Sequence, residues 1–193
     1  MTEFRSTDYL PAMGKRWLLP LYDPFTRLIG AGRIHRRLID EAGVVAGQRV
    51  LEIGCGTGNL LTLLVRRVPG VEAVGIDPDP AALRRARRKS SARYERAYAG
   101  ELPLPDDSFD RVLSSLMLHH LPDEERTRAL REARRVLRPD GRLQIADIAS
   151  GHRRVVDADT LTADLAAAGF TDVTHTGNAR SRLGAVAFYR ASP

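Results

Sequence analysis

The sequence predicts an α/β fold in which a mostly parallel sheet is covered by helices on both faces. Short apolar segments alternate with longer segments of helical character along most of the chain, a pattern typical of βαβ units. A glycine-rich turn follows one of the first apolar segments, with glycine at positions 54, 56 and 58. Near the C-terminus, a short turn-like link joins two apolar segments at residues 170–176 and 184–191. These last two segments should therefore form an antiparallel pair.

The first half of the chain opens with an irregular segment and then alternates between helices and strands. Residues 26–44 are mostly helical in pattern, with Leu38 and Ile39 on the apolar side and Gly43 as the stop signal. Pro80 falls in the first turn of a later helix, where its missing N–H does no harm. The predicted elements after the first helix are a strand at 48–54, a helix at 59–68, a strand at 71–77 and a helix at 79–90.

The second half continues the same alternation. Its fourth strand leads into a helix for which Asp123 is the predicted N-cap and Pro139–Gly141 the end signal. The predicted elements are a weak strand at 93–99, a strand at 109–118, a helix at 122–141, a strand at 142–148 and a helix at 157–169.

Composition is that of an ordinary globular chain. Its 193 residues suit one domain with a sizeable core, and 43% of them are hydrophobic and 28% charged. Cys55 is the single cysteine, so no internal disulfide can form. The N-terminus does not resemble a secretory leader, and no apolar stretch approaches the roughly 18 residues of a spanning helix. We therefore expect a cytoplasmic protein.

The net charge of +6 comes mostly from arginine, which is concentrated in residues 83–93 and 125–138. A basic surface of this kind can bind nucleic acid or an acidic membrane. Aromatic residues make up only 6% of the chain and are not interleaved with the basic runs, as stacking on single strands would require. The pattern favours solvated helix faces and disfavours a nucleic-acid partner.

The glycine turn predicts a ligand site, because ligands of such sheets bind beyond the strand ends at the switch point. The dinucleotide fingerprint is not matched, since Asn59 stands where that pattern has its last glycine. Asp77, 19 residues past Gly58, ends the second strand and could accept both hydroxyls of a ribose. The alternative for Asp77 is a turn or cap residue in the stretch DPDP.

Four stretches carry a family resemblance: VLEIGCGTG, GIDPDPAAL, LPLPDDSFDRVLSSLMLHHL and LREARRVLRPDGRLQIADI. In this order and spacing they resemble the motifs of class I S-adenosylmethionine-dependent methyltransferases, over residues 45 to 190. The similarity is greatest to the small bacterial branch that modifies small molecules, quinones and lipids. The resemblance implies a Rossmann-like three-layer sandwich whose seven-stranded, mostly parallel sheet has the order 3-2-1-4-5-7-6, with strand 7 antiparallel. Residues 1–44 would form an N-terminal arm and helix within the same domain, covering the site, and residues 45–193 the cofactor-binding methyltransferase domain.

The resemblance also assigns cofactor-binding residues. Glu52 would face the amino group of S-adenosylmethionine, Asp77 would bind its ribose, and Pro78 would lie along the adenine. The backbone of Ser115 would meet the methionine part, and Ala99 would offer its N–H to the adenine. The glycine loop would line the cofactor through Gly54, Cys55, Gly56 and Gly58, and Tyr22 would reach the cofactor from the N-terminal segment. The alternative for Glu52 is an ion pair with a neighbouring base, and that for Tyr22 is packing under the arm.

One position departs from the family pattern. Relatives usually have an aspartate that bonds the adenine amino group, and this chain has Tyr98 there. A phenol could accept from that amine or pack over the ring, or it could fill the pocket instead.

The candidate catalytic residues are His119 and His120, just past the fourth strand. Histidine titrates near neutrality and suits a general base, although many relatives carry this pair whatever their acceptor, so a packing role is an alternative. The other histidines, at 35, 152 and 175, have no ligand-like spacing, and no metal site is predicted.

The acceptor pocket would lack a large lid, because only residues 149–160 separate the fifth strand from the next helix. Residues 1–30 would then roof the pocket, or it would open to a large or lipid-like acceptor. Their apolar side chains could also contact a membrane surface.

The function predicted is metal-independent methyl transfer to a small-molecule or lipid-like acceptor, with S-adenosylhomocysteine as product. Rival hypotheses are a nucleotide-dependent oxidoreductase, a non-catalytic S-adenosylmethionine binder and an RNA methyltransferase.

Overall fold

The computed structural model describes residues 26, 28, 30–150, 155–182 and 184–193. Within them, one seven-stranded sheet has the order β3-β2-β1-β4-β5-β7-β6, as the family resemblance implies. The strands are β1 Arg49–Ile53, β2 Glu72–Ile76, β3 Arg93–Glu95, β4 Phe109–Ser115, β5 Leu137–Ile148, β6 Thr171–Ser181 and β7 Gly184–Ser192. The helices are α1 Ala31–Ala42, α2 Asn59–Arg67, α3 Pro80–Ala86, α4 Asp123–Val136 and α5 Ala158–Ala167.

Strand pairing places the switch point of the sheet at β1. Strands β1 to β5 pair in parallel, whereas β7 runs antiparallel to both β5 and β6, which confirms the predicted terminal pair. Ile53, the last residue of β1, lies opposite Ile76 of β2 on one side and Ser114 of β4 on the other. The carboxyl ends of these three strands therefore meet, and the loops that follow them share one edge of the sheet.

The core consists of two apolar layers, one on each face of the sheet. One layer joins the sheet to α1, α2 and α3 through residues such as Leu38, Leu61 and Leu83. The other joins it to α4 and α5 through residues such as Leu130 and Leu165. Both faces of the parallel strands are thus covered, which explains why those strands are nearly continuous apolar runs.

Local signals set several helix ends. α1 ends at Gly43, which has a left-handed φ of 58°, as predicted. α3 begins with Pro80 in its first turn, after Asp79, whose side chain accepts the N–H of Ala81 at 2.8 Å. The prediction of Asp123 as N-cap was wrong: Pro122 occupies the cap of α4, and Asp123 is the first helical residue.

Three strand boundaries differ from the prediction. β4 ends at Ser115 and not at residue 118, and β3 is confined to Arg93–Glu95. β5 begins at Leu137 instead of residue 142, because Pro139–Gly141 form an irregularity between two paired stretches, and not a turn. Turn-forming residues suit such a bulge as well as a loop.

The link between the last two strands is shorter than predicted, because β6 extends to Ser181. The extension, residues 177–181, is mostly polar and partly exposed, since β6 is the edge strand. An edge strand does not need the apolar pattern that marks buried strands, so the sequence contained no strand signal there. Within the described residues, no helix is both long enough and apolar enough to cross a bilayer.

Candidate active site

The glycine loop lies between β1 and α2 and is folded onto the end of β2. Gly54, Gly56 and Gly58 all have left-handed φ angles, of 72°, 51° and 75°, which L-residues rarely adopt. The N–H groups of Gly54 and Cys55 both donate to the carbonyl oxygen of Ile76, each at 2.9 Å. These two bonds hold the loop at the switch point.

Two of the glycines are required by packing inside the protein. A Cβ on Gly54 would lie 2.2 Å from Cγ of Met117, the second residue after β4. A Cβ on Gly58 would lie 2.6 Å from the hydroxyl oxygen of Tyr94 and 2.8 Å from Cβ of Ala86. The bare backbone at these positions therefore admits a neighbouring side chain.

Asp77 follows β2 and braces the loop. Its Oδ2 accepts the N–H of Gly56 at 2.9 Å, and its Oδ1 accepts the N–H of Asp79 at 2.8 Å. The turn role considered for this residue is thus realised. Each oxygen keeps a second lone pair, so the carboxylate can still accept hydroxyl groups. Burial raises the pKa of Asp77 to about 6, although the two N–H bonds favour the charged form.

Glu52, in β1, lies beside Asp77 and is only 3% exposed. Burial, and then the charge of Asp77, raises the pKa of its carboxyl well above the ordinary value. Among the described residues it forms no ion pair, and its Oε2 has no hydrogen-bond partner. A buried oxygen of this kind needs a donor, which water or a polar ligand can supply. The two carboxylates are hydrogen-bond acceptors, and they therefore fit a cofactor that donates from an amino group and from ribose hydroxyls.

Other predicted cofactor residues lie in the glycine loop and after strands β2 and β3. Cys55 is buried and burial raises the pKa of its thiol well above the ordinary value, which agrees with a packing role instead of a nucleophilic one. The carbonyl of Pro78 accepts Nε of Arg96 at 3.1 Å. Tyr98 and Ala99 are half-buried in a tight turn, in which the N–H of Glu101 donates to the Tyr98 carbonyl at 3.2 Å.

The backbone is strained where β4 ends. Ser115, the last residue of the strand, is half-buried, and its Oγ has no hydrogen-bond partner among the described residues. Leu116 follows with a φ of 54°, an unfavourable left-handed conformation for a bulky residue that costs about 1–2 kcal/mol. The kink directs Met117 over Gly54 and begins the short 3₁₀ turn Leu118–His120. Strain of this kind is typical of functional sites.

The two candidate histidines differ sharply in environment. Nδ1 of His119 lies 2.5 Å from Oδ1 of Asp147 in β5, and both side chains are 4% exposed. The backbone N–H of His119 also donates to Oδ2 of Asp147, at 3.3 Å. His120 is exposed, and its ring centroid is 4.0 Å from that of His119. The buried carboxylate of Asp147 is thus paired with His119.

Asp147 was not predicted from the sequence. Its only signal was a carboxylate within the otherwise apolar stretch IADI, at the end of a buried strand. Two other elements of the prediction lie outside the described residues: Tyr22 with the rest of residues 1–25, and residues 151–154 of the short link 149–160.

Comparison with known proteins identifies relatives that align with about two thirds of the chain. A family model described as a methyltransferase domain matches residues 50–141. The chain is 40% identical over 138 residues to a demethylmenaquinone methyltransferase of Thermus thermophilus, an alignment that covers 67% of this chain and 62% of that protein. It is 38% identical over 122 residues to a 27-O-demethylrifamycin SV methyltransferase of Amycolatopsis mediterranei, covering 60% of this chain and 44% of the relative. The chain thus spans less than two thirds of the length of these relatives.

One solved structure shows how widely the fold is shared. It is a phosphoethanolamine N-methyltransferase of Haemonchus contortus, in complex with phosphomonomethylethanolamine and S-adenosylhomocysteine. Its TM-score is 0.78 at 16% identity, over 100% of this chain and 60% of that one. At this identity the similarity concerns the fold alone.

Replacing Gly58 with alanine tests the packing role of the loop. We expect Gly58→Ala to lower the free energy of unfolding by about 2–4 kcal/mol, from left-handed strain and the clash with Tyr94 and Ala86. Gly47→Ala is the matched control, because Gly47 has a φ of 83° and a Cβ added there would meet no atom within 4 Å. In urea denaturation, the free energy of unfolding of Gly47→Ala should fall by only about 1–2 kcal/mol, because this variant has the backbone strain without the clash. Equal losses in the two variants would contradict the packing role.

Replacing Glu52 with glutamine tests the buried carboxylate. Because the pKa of Glu52 is raised in the folded state, the folded state binds more protons than the unfolded state. The free energy of unfolding therefore falls as pH rises above the ordinary pKa of a glutamate. Glu52→Gln removes that penalty. The melting temperature of the variant minus that of the wild type, without cofactor, should increase from pH 5 to pH 8 by thermal unfolding. A difference that does not change with pH would contradict this assignment.

Proposed function

The chain belongs to the class I S-adenosylmethionine-dependent methyltransferase family, and on this premise we propose that it transfers a methyl group to a small-molecule or lipid-like acceptor. The observation that carries the proposal is the arrangement of Asp77 and Glu52 around the glycine loop at the switch point. We include a quinol among the acceptor classes, because one relative is named for a menaquinone precursor.

The cofactor would be held by two carboxylates with separate tasks. Asp77 would accept the ribose hydroxyls through the lone pairs that Gly56 and Asp79 leave available. Glu52 would accept from the amino group, directly or through a water, with the oxygen that lacks a partner among the described residues. A cationic ligand nearby would also favour the ionised form of both carboxyls, whose pKa values burial raises.

Methyl transfer needs an acceptor whose nucleophilic atom is aligned and, where it carries a proton, deprotonated. When bound, S-adenosylmethionine supplies an electrophilic methyl group on a sulfonium leaving group. His119 would remove the acceptor's proton. With Asp147 as a carboxylate, which can only accept, Nδ1 would carry the hydrogen of this bond, and Nε2 would carry the lone pair that forms the new N–H bond as the acceptor O–H bond breaks.

Asp147 is a positioning residue in this proposal. It orients the imidazole, selects its tautomer and stabilises the imidazolium that forms. Such a base suits an acceptor hydroxyl, as in a quinol or an alcohol. The rifamycin relative, whose name specifies an oxygen, supports a hydroxyl acceptor, and the menaquinone relative supports a lipid-like one.

Asp77→Ala tests the cofactor site without requiring a known acceptor. We expect the dissociation constant of S-adenosylhomocysteine to rise about 5- to 150-fold in calorimetry, from lost ribose hydrogen bonds. Wild-type affinity should also weaken as pH falls through about 6, where Asp77 becomes protonated. The variant should lose the Asp77 contribution and keep only the pH dependence that Glu52 causes.

The control for this variant is Asp79→Asn, which removes a carboxylate from the same turn but keeps an oxygen to cap α3. Its affinity should stay within about twofold of wild type, since a surviving cap preserves the loop. A folded Asp77→Ala protein with unchanged affinity would refute the proposed cofactor placement.

His119→Gln tests the proposed base, with a short-chain demethylmenaquinol as the acceptor probe. We expect kcat to fall about 10²- to 10⁴-fold in His119→Gln, and substantially in Asp147→Asn, while affinity for S-adenosylhomocysteine is retained. His120→Gln is the matched control and should stay within about threefold of wild type, because Asp147 bonds the ring of His119. A full-activity His119→Gln protein would exclude the histidine from the chemistry.

A further inference from the structure

We propose that the outer face of α1, α2 and α3, with the α3 extension to residue 89, docks on an anionic lipid membrane. We call this face the basic layer. The choice of a membrane as partner rests on the proposed function, because a lipid-like acceptor such as a prenylated quinol resides in the bilayer. The electrostatic argument does not depend on it.

Charge is distributed unequally between the two helical layers that cover the sheet. The segments 31–42, 59–67 and 80–89 of the basic layer contain ten basic and two acidic residues. The opposite layer, α4 and α5, contains five basic and six acidic residues over 123–136 and 158–167. The positive net charge of the chain is thus concentrated on one side of the sheet.

Ion pairing of the arginines with carboxylates increases the difference in charge between the two helical layers. On α4, three of the five arginines form ion pairs with carboxylates, at positions 126, 128 and 135. On the basic layer only Arg37 and Arg67, two of nine arginines, have a carboxylate partner among the residues that the structure describes. The basic layer instead presents its charge outward.

The surface chemistry of this layer favours a membrane over a nucleic acid. The exposed side chains in its helices include Arg33, Arg36, Arg66, Arg84 and Arg88, and its segments contain no tyrosine, tryptophan or phenylalanine on which a base could stack. Large exposed apolar residues flank α1 at both ends: Leu28 is 60% exposed and Val45 is 58% exposed. Basic residues with adjacent apolar side chains are the combination that binds the headgroup region.

The expected strength follows from the number of arginines that the basic layer presents to solvent. Each arginine near an anionic surface contributes about 1 kcal/mol, which is about fivefold in partitioning, and the effect decays within a Debye length. Removal of three such charges should therefore weaken binding about a hundredfold.

The experiment is co-sedimentation of the full chain with vesicles of phosphatidylcholine alone or mixed with phosphatidylglycerol. We expect binding to the anionic vesicles only, and its loss when salt is raised from about 0.1 M to about 0.5 M. The test variant is Arg84→Gln/Arg85→Gln/Arg88→Gln on α3 and its extension, which should bind about a hundredfold more weakly.

The matched control is Arg128→Gln/Arg131→Gln/Arg134→Gln on α4, which changes the net charge equally on the other layer. Its affinity for the anionic vesicles should stay within about threefold of wild type, because the location of the arginines and not the total charge determines binding. Equal losses in the two triple variants, absence of binding to anionic vesicles, or tighter binding to a single-stranded RNA than to the vesicles would each overturn the proposal. Calorimetry with S-adenosylhomocysteine separates the two proposals: retained cofactor affinity with failed vesicle binding removes the docking surface and leaves the proposed function intact.

Discussion

The carbonyl oxygen of Ile76 accepts two consecutive N–H groups, those of Gly54 and Cys55, and the site is organised around that contact. It joins the loop after β1 to the end of β2, and Asp77 extends the junction by accepting the N–H of Gly56. Two consecutive donors can converge on one carbonyl only if the chain turns sharply, which the left-handed glycines allow. The same turn leaves Gly54 and Gly56 half-exposed, and the proposed cofactor would lie against them.

Several unfavourable features are concentrated at this edge of the sheet. Glu52 and Asp77 are neighbouring carboxylates, and burial destabilises the charged form of each. Leu116 is left-handed, and His119 and Asp147 are polar groups withdrawn from water. The large apolar layers on both faces of the sheet offset these costs. Local destabilisation next to a well-packed core is typical of binding and catalytic sites.

The arginines illustrate how the same residue type has different consequences in different places. In α4 they hold the layer together, since Arg126 bridges Asp123 of its own helix and Asp164 of α5. In α1 to α3 most of the arginines lack a carboxylate partner among the described residues. They therefore give this face a positive electrostatic potential instead of joining helices through ion pairs. The proposed cofactor site at one edge and the charged face on one side together suit the proposal that the protein meets its acceptor at a membrane surface.

The sequence by itself determined the order of the elements, the helix ends at Gly43 and Pro80 and the glycine loop, because each depends on local backbone preference or on a motif with fixed spacing. It gave the turn role of Asp77 only as an alternative to ribose binding, and the structure shows that turn role. The family motifs also specified the strand order. Only the tertiary structure decided that Asp147 meets His119, that β6 continues to Ser181 and which arginines find partners. The two pairings join residues that are far apart in the chain, so no local sequence pattern predicts them. The end of β6 lies on an edge strand, which does not need the apolar pattern of a buried strand.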